Sequence, residues 1–222
     1  MFKIDHIVFA ASSLEEGTSF IESHLQTKLS DIGYHEFMGT HNRVLKIGKS
    51  VYLEVIAIDP KAKSLEQKRW FNLDDLKLQK KLKQKPQLIG YVIETYNKNI
   101  FKHYLPFFRA QRGDYKWNFA MPKPLNNELH SGIIDNGIMP SIINWDSESP
   151  IHKMQDSRFE IENLGIEITE LQFSYKDFIR SIGHCDQITY LFDANSENQI
   201  KFDYPKLKLK LRDTFTNKLV FL

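Results

Sequence analysis

"MGTHNRVLKIGKSVYLEVIAID" occupies Met38 to Asp59. It reads as two apolar strands around a tight Gly48-Lys49 turn, and Glu54 sits in the middle of the second strand. A carboxylate between Leu53 and Val55 is expensive to bury unless something pairs with it. The fold has to supply that partner.

Upstream, Lys3 to Ala10 (KIDHIVFA) has the pattern of a strand with His6 inside it. Ser12 or Ser13 then suits a helix N-cap, with Glu15 and Glu16 in the first turn. Leu14, Phe20, Ile21 and Leu25 follow near helical spacing, and His24 near the helix end complements its dipole. Strands are expected over 29–37, 41–47 and 50–58, which makes residues 1–59 a β-α-β-β-β module. Residues 60–86 form a polar connector in which Leu73, Leu76 and Leu82 suggest a short helix.

The pattern then restarts over 87–155. A strand is expected over 87–95 and a helix over 97–110, shortened or kinked by Pro106. Further strands are expected over 114–121, 129–135 and 138–145. The order recurs a third time, partially, over 156–222: a strand over 166–174, a short helix over 175–182, and strands over 187–192, 200–204, 207–212 and 218–222. In Lys206 to Arg212 (KLKLKLR) every second residue is basic, so one face is apolar and the other wet. The fold class expected is α+β, with tandem β-α-β-β-β modules and an additional C-terminal module.

Composition narrows the function. The 222 residues carry a net charge of +2 with interspersed charges, which gives no basic footprint for nucleic acid. No apolar run approaches the length needed to span a bilayer, and the N-terminus lacks the apolar core of a signal peptide. The single cysteine, Cys185, excludes an intrachain disulfide and fits a reducing cytoplasm. The abundance of Lys, Asn and Ile points to an AT-rich bacterial genome. There is no phosphate-cradling glycine loop and no nucleophile elbow. Cys185 stands beside His184, but neighbours on a strand face opposite ways, so His184 is badly placed to activate it.

Strand parity puts Ile4, His6 and Val8 on one face of the first strand, and Tyr52, Glu54 and Ile56 on one face of the fourth. If those strands are neighbours, His6 meets Glu54 in apolar surroundings. Two readings fit that meeting. One is the start of a divalent metal site; the other is a plain core ion pair.

Asp5-His6, Gly33 and His35 before the Gly39-Thr40-His41-Asn42 turn, and Tyr52-Leu53-Glu54 together resemble the glyoxalase-like branch of the vicinal oxygen chelate superfamily. Trp117 and "GIMPSIINWDSESPIHK" resemble that branch's second module more loosely. The resemblance covers roughly residues 1–155. It implies paired modules curled into a half-open barrel around a cavity that takes a small oxygen-bearing organic molecule, and it leaves room for a homodimer.

The resemblance also implies His6 and Glu54 as metal ligands and catalytic groups. His35, His41, Asn42, Trp117 and Trp145 are then the candidates for contacting the ligand. A zinc, iron, manganese or nickel ion would act as a Lewis acid in lyase, isomerase or dioxygenase chemistry. The second module departs from this pattern. Gly90 falls where His6 sits, and the strand IMPSIINW has no acid in the place of Glu54. A site holding zinc or iron well needs at least three protein ligands, which leaves His35, His41, His130 or His152 to complete it. Without them no metal is bound, and the chain reads as a metal-free protein that binds or sequesters a ligand.

Overall fold

The computed structural model describes residues 2–63, 65–123, 139–168, 180, 182–192 and 206–222. The first module contains β1 (Lys3–Ala10), α1 (Leu14–Leu25), β2 (Gly33–His35), β3 (Thr40–Lys46) and β4 (Tyr52–Ile58). Ser13 caps α1 by accepting from the Glu16 amide at 3.2 Å, and the helix ends at Gln26 in the left-handed region. Its buried face of Leu14, Gly17, Ile21 and Leu25 lies against β4. The approach is close: a Cβ on Gly17 would stand 2.6 Å from Val55 and 2.8 Å from Ala11.

The connector forms α2 (Leu76–Leu82), capped by Asp75. Leu78 and Leu82 are its buried residues, while Leu76 points to solvent. The second module contains β5 (Gln87–Glu94), β6 (Phe108–Arg112), β7 (Tyr115–Ala120) and β8 (Ser141–Trp145).

The helix expected over 97–110 does not form. A six-residue 3-10 helix covers Lys98–His103, and the chain then extends into β6. Pro106 lacks an N–H and pushes the residue before it out of helical space, so the segment cannot carry a helix into Phe107 and Phe108. Phe108 instead joins the core inside the barrel. The strand expected over 129–135 lies outside the described residues.

Eight strands make one sheet in the order β2-β3-β4-β1-β5-β8-β7-β6. The second half repeats the first. β1 pairs in parallel with β4, β5 pairs in parallel with β8, and the modules join through antiparallel β1 and β5. The edges of the sheet are β2 and β6.

Residues beyond the second module build a separate sheet from β9 (Phe159–Ile168), β10 (Ile188–Phe192), β11 (Lys206–Asp213) and β12 (Leu219–Phe221). Its order is β10-β9-β11-β12. Here the first strand pairs in parallel with the second, not with the last, so its pairing is not that of the two modules. The strand expected over 200–204 and nearly all of the helix expected over 175–182 lie outside the described residues. The alternation in KLKLKLR behaves as read. Leu209 and Leu211 are fully buried, while Arg212 forks onto Glu162 with Nε and Nη2 at 2.9 and 2.6 Å.

Two cores follow. One lies on the outer face of the eight-stranded sheet, where α1 covers the first module and the four-stranded sheet supplies Phe159, Leu164, Ile166, Leu209 and Leu211. Tyr91 of β5 hydrogen bonds Tyr190 of β10 at 3.0 Å across that contact. The second sheet thus covers a face that the second module, lacking its helix, would leave bare. The other core fills the inside of the curl, where Val8, Ile56, Val92, Phe119 and Ile143 meet Leu78 and Leu82 of α2. No helix among the described residues is long and apolar enough to cross a membrane.

Candidate functional site

The inner face opens into a cavity of about 500 Å³, counted to its mouth, lined by aromatic rings and a few polar groups. That is the composition of a small-molecule site. The strands set its contents. β1 and β4 are neighbours with Val8 opposite Glu54, so His6 and Glu54 stand two rows apart on the same face. A bulge between Ile4 and His6 shifts the parity expected for β1. Ile4 therefore joins Ile7 and Phe9 in the outer core, while His6 faces the cavity.

The same bulge brings Asp5 beside His6, although neighbours in a regular strand face apart. Oδ1 of Asp5 lies 2.6 Å from Nδ1 of His6, so the imidazole donates there and Nε2 keeps its lone pair when the ring is neutral. Trp145 of β8 donates from Nε1 to the other carboxylate oxygen at 2.8 Å. Tyr52 stacks on the His6 ring with centroids 4.7 Å apart. Burial, then the carboxylates of Asp5 and Glu54, hold the Tyr52 phenol well above its ordinary pKa.

Glu54 is 5% exposed and is partnered on both sides. Oε1 accepts from Nδ2 of Asn42 at 2.6 Å, and Oε2 faces Nε2 of His6 at 3.6 Å. The donor that makes its burial tolerable is the Asn42 amide; the His6 ring donates on the other side only when it carries a second proton.

A second cluster adjoins the first. Arg112, at the end of β6, donates from Nη1 to Nε2 of His35 at 3.1 Å and to Oδ1 of Asn42 at 3.4 Å. An arginine only donates, so the proton of His35 sits on Nδ1 and reaches Oγ1 of Thr40 at 3.2 Å. Burial first, then the Arg112 charge, depresses the His35 pKa to about 3, so the ring stays neutral. These contacts join the edge strands β6 and β2 across the mouth of the curl. Phe37 supports the same closure, with its ring 6.1 Å from Trp117 and 6.4 Å from Phe108.

Of the residues expected from sequence, His6, Glu54, His35, Asn42, Trp117 and Trp145 line this cavity. His41 does not. It alternates with Asn42 on β3 and lies toward Glu15 and Asp59; burial lowers its pKa, and its Nε2 is buried without a partner. His152 is exposed in a 3-10 turn, and His130 lies outside the described residues. Asp5, Tyr52 and Arg112 were given no role by the sequence reading. Asp5 needs the bulge to turn inward. Arg112 needs the sheet to curl until its edges meet. Neither is written in strand alternation.

A model of the Glyoxalase-like domain family matches residues 4–180. The chain belongs to that family. The glyoxalase-like domain here is a member of the vicinal oxygen chelate superfamily, and its paired modules accord with that. No curated protein matches the sequence. A hypothetical protein from Staphylococcus aureus is similar in structure, with a TM-score of 0.58 and 15% identity over 93% of this chain and 98% of that one. At that identity the likeness speaks for the fold alone. Methylmalonyl-CoA epimerase from Streptomyces coelicolor is more distant, with a TM-score of 0.43 and 16% identity over 67% of this chain and 98% of that one.

The metal that the superfamily resemblance implies can be tested against these residues. Val92 pairs with Ser141 as Val8 pairs with Glu54, and Gly90 precedes Val92 as His6 precedes Val8. Gly90 and Ser141 therefore hold the second module's two ligand positions, and glycine has no side chain to offer. Among the described residues, no group of three or more His, Cys, Asp or Glu side chains is arranged to hold a metal ion. The residues present do not fit the full ligand set; His6 and Glu54 are half of one.

Proposed function

We propose that this glyoxalase-like domain binds a small oxygen-bearing organic molecule in the aromatic cavity, and that Glu54 and His6 exchange a proton with it. The observation supporting this reading is the approach of Oε2 of Glu54 and Nε2 of His6 at 3.6 Å. Each of the two groups has its other heteroatom anchored, by Asn42 and by Asp5. With His6 neutral, two acceptors face one another, a poised place for one proton. Glu54 accepts the proton as a general base, and Nε2 of His6 accepts a hydrogen bond from the carboxyl group that forms. Buried surroundings strengthen both effects, since little water screens them.

The test is solvent deuterium uptake into candidate carbonyl acids, followed by mass spectrometry. Uptake should be lost in Glu54→Gln and strongly reduced in His6→Ala. Binding without uptake, unaffected by Glu54→Gln, would support a protein that only sequesters its ligand.

A second reading keeps a divalent ion on His6 and Glu54. It is favoured by their separation, which suits two ligands each about 2.1 Å from one ion. Elemental analysis separates the readings. Stoichiometric zinc, iron, manganese or nickel in the native protein, absent from His6→Ala, would favour the ion.

A further inference from the structure

Arg112 is the feature that the proton-transfer pair leaves unused. It is contributed by the second module, yet all its side-chain hydrogen bonds among the described residues are made to the first, and all through Nη1. Among the described residues Nε and Nη2 make none. These two form the side-on fork of a guanidinium, whose donors are spaced to match the two oxygens of a carboxylate. The protein shows the same fork in use elsewhere, where Nε and Nη2 of Arg212 hold Glu162. No acidic side chain among the described residues pairs with Arg112, although it lines the cavity. The guanidinium is partly exposed, so an arriving anion would replace water as the partner of its free edge.

The chain makes room for this arginine. Gly33 of β2 lies against it, and a Cβ there would fall 2.6 Å from Nη1 of Arg112 and 2.4 Å from Oδ1 of Asn42. His35, held neutral, offers its lone pair and not a competing charge. Asn42 ties the two halves together, since its oxygen faces Arg112 and its nitrogen holds Glu54. The fork and the base are one carboxamide and two hydrogen bonds apart.

We infer that Arg112 is the anion subsite of this cavity and that the ligand is a small organic carboxylate, bound by the Nε/Nη2 fork with its adjacent carbon directed to Glu54. This rests on the proposed reading only for the second clause; the fork can bind a carboxylate whether or not Glu54 moves a proton. A fixed positive charge is here supplied by a side chain, which accords with the incomplete ligand set.

The experiment measures binding of glycolate, pyruvate, malonate and benzoate, with methyl pyruvate as a neutral control, by calorimetry and thermal shift. The proteins are the full chain, Arg112→Met, Gly33→Ala and Glu54→Gln. At least one carboxylate should bind the full chain more tightly than methyl pyruvate does, and more weakly as salt is raised. Arg112→Met should lose on the order of ten- to a hundredfold in affinity, the worth of one charge-assisted fork. Gly33→Ala, which leaves the arginine present but displaces it, should lose affinity too. Glu54→Gln should keep binding while losing deuterium uptake. Carboxylate affinity equal in the full chain and Arg112→Met would overturn the inference, as would a full chain that binds no carboxylate of the set. Binding that follows Arg112 without any deuterium uptake would uphold the subsite and sink the proton-transfer reading.

Discussion

The indole Nε1 of Trp145 donates to Oδ2 of Asp5 at 2.8 Å, joining the last strand of one module to the first strand of the other. Asp5 is 4% exposed and its other oxygen holds His6. Removing the indole donor leaves a buried carboxylate oxygen short of a partner. Trp145→Phe should therefore cost about 1–3 kcal/mol of stability in chemical denaturation. It should also loosen the His6 ring. If the indole acts through Asp5 on His6, deuterium uptake should fall more than ligand affinity does. An equal fall in both would mean that Trp145 merely lines the cavity.

Glu54→Gln separates chemistry from architecture. The amide oxygen can still accept from Asn42, and its nitrogen can donate to Nε2 of His6. Stability should change by less than about 1 kcal/mol, because no buried group loses its partner. Proton exchange should vanish, since an amide does not take up a proton near neutral pH. A thermal scan alongside the uptake assay checks both. A large drop in melting temperature would identify Glu54 as a structural acid.

The first module was legible because its strands alternate cleanly and its turn residues fall between them. His6 and Glu54 could be placed on one face from parity alone, and the structure sets their side chains 3.6 Å apart. Three features defeated that reading. The bulge beside Asp5 breaks the period of two, so parity failed for Ile4. Aromatic spacing over 97–110 imitated a helix, but Pro106 and pairing with β7 drew Phe108 to Arg112 into a strand. The Arg112 contact depends on two edges far apart in sequence, and no local pattern encodes the curl that brings them together. In the C-terminal sheet β10, β11 and β12 match expected strands, but β9 begins at Phe159, ahead of the strand expected over 166–174, and the pairing order depends on which face of the barrel the sheet must cover.

Acid should weaken the fold through His35. Its folded pKa of about 3 lies below the ordinary imidazole value of 6.5. The unfolded chain therefore takes up a proton first as pH falls. Stability is unaffected above about pH 6.5 and declines below it, by about 1.4 kcal/mol per pH unit for one such group. The decline continues until the folded pKa is reached. Denaturant midpoints between pH 6.5 and 5 should slope accordingly, before most carboxylates titrate. His35→Gln keeps an acceptor for Arg112 and a donor for Thr40, so it should flatten much of that slope. An unchanged slope in this variant would assign the acid sensitivity elsewhere, with His41 the next group to test, since burial lowers its pKa as well.

Residues after the second module should be inseparable from the barrel. Phe159, Leu164, Ile166, Leu209 and Leu211 are each no more than 2% exposed and pack with Tyr91, Ile93 and Ile142 of the eight-stranded sheet. Cutting the chain near residue 155 would return those apolar faces to water, and each large side chain exposed costs roughly 1.5–3 kcal/mol. The polar links would go too, among them the Tyr91–Tyr190 pair and the Arg158 contact to the Leu25 carbonyl at 3.1 Å. The sum is comparable with the 5–15 kcal/mol that holds a typical domain folded. A fragment of residues 1–155 should therefore be insoluble or bind a hydrophobic dye, with dispersed amide resonances lost. Limited proteolysis of the full chain should not accumulate such a fragment. A soluble, folded 1–155 piece that still bound ligand would show that the outer sheet is an appendage, and that α1 and the barrel interior stabilise the modules unaided.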